Sequence, residues 1–193
     1  MKGIYLVIII AVLLGIDIAL QKISEYRMNH VVAENEETYN KVRNSSLVRF
    51  AVNPVKLYFY DLYRAIYKKD SVIVEKAMRK FTVLHASSRQ KSEAYARAFY
   101  YFVSENDKTR AGKALKLIKE QGDEKLTHDA LISYDVYICH GRKYLEELLE
   151  ELDKEQNDIM RAARAAMISQ IYKNTGEKEK EEYYASLAAS SLQ

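Results

Sequence analysis

Cysteine and proline each occur once in the 193 residues, glycine six times and tryptophan not at all. The lone Cys139 excludes an internal disulfide and any zinc site built from several cysteines. With Pro54 and six glycines the chain has too few turn-formers for the many tight turns of an all-β fold, so helix is the default. Three familiar catalytic signatures are also missing: a glycine loop that cradles phosphate, His-Glu-x-x-His and Gly-x-Ser-x-Gly.

What is there is apolar, aromatic and charged. Hydrophobic residues make up 48% and aromatics 11%, with 16 Tyr, enough apolar surface to disfavour intrinsic disorder. The net charge of +3 is unevenly spread. Residues 1–40 hold 3 Lys and Arg against 5 Asp and Glu, residues 41–119 hold 18 against 6, and residues 120–193 hold 9 against 16. A basic middle section of this kind attracts anionic lipid headgroups, nucleic acid or an acidic partner through screened long-range forces; a solvated helix surface explains it equally well.

The N-terminal stretch Ile4 to Leu20 carries one ionisable residue, Asp17, between Lys2 and Lys22. As a helix it spans about 26 Å, slightly less than the roughly 30 Å hydrocarbon core of a bilayer, and it reads as a single-pass transmembrane anchor. A cleaved signal peptide is the competing reading. The stretch GIDIALQKIS, however, offers no pair of small residues at the −3 and −1 positions of a cleavage site. This puts the chain at the cell membrane. Lys22 and Arg27 against Lys2 tilt the body toward the cytoplasmic side. Helical periodicity continues beyond the anchor as a stalk until Asn44-Ser45-Ser46 loosens the chain. That triplet also fits a glycosylation acceptor.

From Asn53-Pro54, a helix start with Asn as cap and Pro in the first turn, the chain reads as helix pairs. Val55, Phe59, Leu62 and Ile66 form one stripe, and Val74, Ala77, Phe81 and Leu84 the next. A second pair carries Tyr95, Ala98, Phe99 and Phe102, then Ala111, Leu115 and Ile118. A third has Leu126, Ala130, Tyr134 and Tyr137, then Leu145, Leu148, Leu149 and Leu152. The fourth runs through Ile159, Ala162, Ala166, Ser169 and Tyr172 to Tyr184, Leu187 and Ala188. Tyr67, Phe102, Tyr137 and Tyr172 recur every 35 residues, each followed four residues later by Ser71, Asn106, Gly141 or Gly176. A register shared by aromatics and turns argues for stacked repeats whose neighbours complete a common core.

In this respect residues 53–191 resemble the tetratricopeptide repeat, a helix-turn-helix unit of about 34 residues. The last unit matches best, through Ile168-Ser169, Tyr172, Gly176 and Ala188. Lys76, Glu146 and Glu181 stand where that family has a small second-helix residue, which leaves other α-solenoid pairs open. The resemblance implies a groove lined by the first helices that holds a peptide. Its lining positions fall on Tyr58, Asp61, Lys68 and Lys69, on Glu93 and Tyr100, on His128 and Asp135, and on Gln170 and Lys173.

Other chemistry is harder to assemble. Tyr60, Tyr63 and Tyr67 lie at helical spacing, which suits packing better than base stacking. His128 and Cys139 are three helical turns apart, roughly 16 Å, too far to share a metal ion. Cys139 and His140 are adjacent and do not face each other as nucleophile and base. The expected protein is therefore all-α, with a transmembrane anchor at 1–21, a helical stalk or linker at 22–52 and a helical-repeat domain of about four antiparallel pairs at 53–193. It is expected to act as a membrane-anchored, non-enzymatic scaffold without cofactor or metal, binding a protein or peptide rather than nucleic acid. The alternative is direct binding of an anionic lipid surface or nucleic acid by residues 41–119.

Overall fold

A computed structural model describes residues 2–191, with side chains from residue 13 onward. Among the described residues there are eleven α-helices, one π-helical turn and no strand. The chain divides into two compact units, residues 1–94 and 95–193, and the division falls inside helix α6 (Ser88–Ser104).

Unit 1 starts with the long helix α1 (Lys2–Val31), followed by the short helices α2 (Glu36–Arg43) and α3 (Ser46–Ala51). Its first regular pair is α4 (Pro54–Tyr67) and α5 (Ser71–Val83). Asn35, Ser45, Asn53 and Asp70 cap α2 to α5 by accepting from backbone N–H groups in the first turn, which satisfies donors that the helix itself leaves free. Met28 and Val31 of α1, Tyr39 of α2, Val48 of α3 and Leu57 and Tyr60 of α4 share one buried cluster. Residues 22–52 thus pack on α4 through a few buried side chains, while most of the segment stays exposed.

That packing bears on the N-terminal anchor and on the cell-membrane localisation drawn from it, and both are corrected. No helix is long and apolar enough among the described residues to cross a membrane. The helix that holds the apolar run continues past Leu20 without a break through Gln21, Lys22, Glu25 and Arg27, and the last turns of α1 bury Met28 and Val31 in a protein core. The side chains of residues 4–12, the front of the expected span, lie outside the described residues.

Unit 2 contains most of α6, α7 (Lys108–Lys119), α8 (Glu124–Ser133) with the π-helical turn Tyr134–Ile138 at its end, α9 (Leu145–Lys154), α10 (Asp158–Thr175) and α11 (Lys178–Ser190). The first helices of the four successive pairs begin at Pro54, Ser88, Glu124 and Asp158, at intervals of 34, 36 and 34 residues. Ile132 and Val136, Leu145, Leu148 and Leu152, and Ala165, Ile168, Ile171 and Tyr172 form a single core across α8 to α10, with Tyr184 and Leu187 of α11 packed on its edge.

The turns reveal the repeat more faithfully than the aromatics do. After α4, α6 and α10 the chain places Lys69, Asn106 and Gly176 at positive φ, 53°, 52° and 77°. The next N–H in each case reaches back five residues, from Asp70 to Ala65 (3.3 Å), Asp107 to Phe102 (2.8 Å) and Glu177 to Tyr172 (3.0 Å). This is the Schellman closure of a helix end, followed at once by an acidic residue at the start of the next helix. Ala65, not Tyr67, is therefore the equivalent of Phe102 and Tyr172. It is buried, whereas Tyr67 is 59% exposed, because α4 stops two residues earlier relative to its aromatic. The third turn has His140 at φ 53° and an extra residue taken up by the π-helical turn, so that Gly141 N–H reaches six residues back to Asp135.

Two substitutions separate turn geometry from core chemistry. Gly176→Ala is expected to lower the unfolding free energy by about 1 kcal/mol, since a Cβ is strained at that φ. Ser24, fully buried in α1 with no hydrogen-bond partner for its hydroxyl among the described residues, gives the opposite sign: Ser24→Ala should raise stability by about 1 kcal/mol. Urea unfolding of both variants checks the pair.

Candidate functional site

Three helices of unit 1 contribute to one open cavity of about 770 Å³, and each does so with the same spacing. Helix α2 presents Glu36, Tyr39, Asn40 and Arg43, α4 with its C-cap Lys68 presents Asp61, Arg64, Ala65 and Lys68, and α5 presents Ile73, Lys76, Ala77 and Lys80. The pattern i, i+3, i+4, i+7 is one face of two helical turns, so the cavity is lined by three stripes of side chains.

Asp61 is the hub of its wall. Its Oδ1 accepts from Tyr39 Oη at 2.8 Å and Arg43 Nε at 3.0 Å, and its Oδ2 accepts from Arg43 Nη2 at 3.0 Å. Both ionic side chains are largely buried, and the bidentate geometry is the strong form of an arginine–carboxylate pair. The Arg64 guanidinium sits 4.5 Å from the centroid of the Tyr39 ring and donates to the carbonyls of Val32 (2.9 Å) and Glu34 (2.8 Å). Burial, reinforced by the Asp61 carboxylate, pushes the Tyr39 phenol well above its ordinary range.

With Asp61 committed to Arg43, the lysines decide the field. Lys68 stands near the Tyr67 ring (5.8 Å) and Lys80 near the Tyr58 ring (5.4 Å). None of Lys68, Lys76 and Lys80 makes an ion pair with a carboxylate among the described residues. Five cations against Glu36 and Asp61 make the cavity basic.

Of the expected groove residues, Asp61 and Lys68 are brought together here, and Tyr58 stands beside them, half-buried with its edge toward Phe81 and Lys80 over its face. Lys69 occupies the left-handed position of the turn and does not line the cavity. Glu93 lines a smaller cavity of about 300 Å³ with Glu25, Lys56 and Tyr60. In unit 2, Tyr100 lines a slot of about 160 Å³. His128 meets the Glu147 carboxylate and the edge of Tyr144. Asp135 is used locally: it accepts from the Lys143 N–H at 3.1 Å, and its carboxylate lies so close to Gly141 that a Cβ there would overlap it. Gln170 donates to Asn174 (2.8 Å), which donates to the Val136 carbonyl (2.9 Å), and Lys173 is exposed.

Sequence reasoning missed Tyr39, Arg43, Arg64, Lys76 and Lys80. One signal was available: Lys76 stands where the tetratricopeptide pattern has a small residue, and that departure marks the cavity wall. Among the described residues no group of three or more His, Cys, Asp or Glu is placed to hold a metal ion.

Tyr39 supplies a pH test. Above about pH 10 the unfolded chain loses the phenol proton that the folded chain keeps, so this group's stabilising contribution is complete below that pH and declines as pH rises. Tyr39→Phe is expected to cost about 1–2 kcal/mol at neutral pH through the lost bond to Asp61. It should also make the alkaline decline shallower by up to about 1.4 kcal/mol per pH unit. Urea unfolding of both proteins from about pH 8 to about pH 11 measures it, and parallel slopes would contradict the assignment.

Comparison of the chain with protein-family models, with curated proteins and with solved structures gave no match.

Proposed function

We propose that this is a non-enzymatic helical-repeat protein that holds an acidic segment of a protein partner in the basic cavity of unit 1. The observation that carries the reading is the set Lys68, Lys76 and Lys80 around a cavity of about 770 Å³, with no carboxylate of the chain's own engaging them among the described residues. Lysine is well matched to such a ligand, because three rotatable donors on a flexible stem can follow carboxylates along an extended peptide, whereas the fixed fork of Arg43 is already taken. Ile73, Ala65 and Ala77 add apolar wall between the charges. Four helix pairs at near-regular intervals support the view that the cavity belongs to a tetratricopeptide-like array, which presents partners with extended surfaces.

The energetics set the expected character of binding. Each exposed ion pair is worth roughly 0.2–1 kcal/mol, so three lysines give modest affinity, fast association and strong salt dependence. A second reading, binding of an anionic lipid surface or nucleic acid, is supported by the surplus of 18 basic over 6 acidic residues between 41 and 119.

Fluorescence anisotropy with a Glu- and Asp-rich peptide carrying apolar spacers tests the first reading against the second. The expected result is binding at low salt that weakens at least tenfold when Lys68, Lys76 and Lys80 are all changed to Glu. Absence of binding at low salt, or affinity unchanged by the triple change, overturns it. Tighter capture of a single-stranded oligonucleotide or an anionic vesicle than of the peptide transfers the case to the second reading.

A further inference from the structure

The slot in unit 2 lies outside the cavity just described and has a different chemistry. Its floor is Ile132 and Leu148, both buried, its sides are Met160, Met167 and Tyr100, and its rim carries Asp129. At about 160 Å³ it is too small for a cofactor-sized ligand, and it matches the size of apolar cavity, roughly 150 Å³, that accepts one benzene ring. Arg164, the cation beside it, is spent on Glu151 and Glu155 at 2.8 Å each. Asp129 makes no salt bridge among the described residues, and burial pushes its carboxyl up against the opposing pull of Lys125, His128 and Arg164.

The complement to this slot is present in the same chain. Phe50, in α3 of unit 1, is 80% exposed, and its neighbour Arg49 is exposed beside it. A phenyl ring with an adjacent guanidinium is what a phenyl-sized slot with an adjacent carboxylate would receive. The units are matched in charge as well: residues 1–94 hold 15 Lys and Arg against 9 Asp and Glu, and residues 95–193 hold 15 against 18.

We propose that a second copy of this chain inserts Phe50 into the slot between Tyr100, Ile132 and Met167, with its Arg49 meeting Asp129. The two patches differ, so the contact is heterologous, and every copy carries one of each. Association then runs head to tail and does not stop at a two-fold dimer unless a ring closes.

Sedimentation velocity of the full chain over a range of concentrations tests this. Wild type should self-associate as concentration rises, less so at high salt, growing past dimer unless two copies close on each other. Phe50→Ala and Ala163→Trp, the latter filling the slot from its rim, should each weaken self-association at least tenfold. Mixed together, they should form a one-to-one pair and nothing larger, because one supplies an open slot and the other the ring. Arg49→Glu, a fully surface change, should weaken association without altering the circular dichroism spectrum or melting temperature. A wild type that stays monomeric throughout, a Phe50→Ala protein that associates as wild type does, or a mixture that gives no pair overturns the proposal.

Discussion

One carboxylate holds the N-terminal helices on the repeat pairs. Asp61 takes three hydrogen bonds from α2, and Arg64, one turn further along the same helix, reaches the carbonyls just past the end of α1. Helix α2 has eight residues, too short to persist alone in water, so its existence depends on this attachment and on burial of Tyr39. The same interaction shapes the electrostatics. Asp61 and Arg43 neutralise each other, and the lysines of α4 and α5 are left to set the potential of the cavity.

The pairs themselves rest on a different constraint, the closing of helix ends with very little glycine. Two of the three Schellman turns use Lys69 and Asn106 where a left-handed conformation favours glycine. The acidic residues that follow recover part of this cost: Asp70 accepts from Val72 and Ile73 N–H, and Asp107 from Arg110 N–H. The end of one helix and the start of the next are thus satisfied by adjacent residues, and the connection needs no further length.

Helices α4 to α11 are legible in the sequence because their apolar residues recur at the helical period over ten or more positions, a signal that tertiary context seldom reverses. Of the 35-residue register only Phe102 and Tyr172 hold the same place relative to the closing turn, and Tyr67 and Tyr137 do not. Tyr67 shares the spacing but not the environment, because spacing alone does not record where α4 ends. The N-terminal segment misleads for a related reason. The helix is expected to run on past Leu20 as a stalk, but hydrophobicity over Ile4 to Leu20 does not show that Met28 and Val31, beyond the run, are buried in a core. The cavity is half legible: Asp61 and Lys68 follow from repeat register, whereas Arg43 and Lys76 join them only once α2 and α5 are packed on α4.

The π-helical turn at Tyr134–Ile138 shows where the third pair takes up its extra residue. A residue inserted into a connection lengthens a loop, but here the surplus is held inside the helix, with Gly141 and Asp135 accommodating the widened turn, while Val136 stays fully buried in the core that follows. The extra residue thus leaves the apolar face of α8 in the core, and the ends of the helices are traced better by hydrogen-bond closure than by residue count.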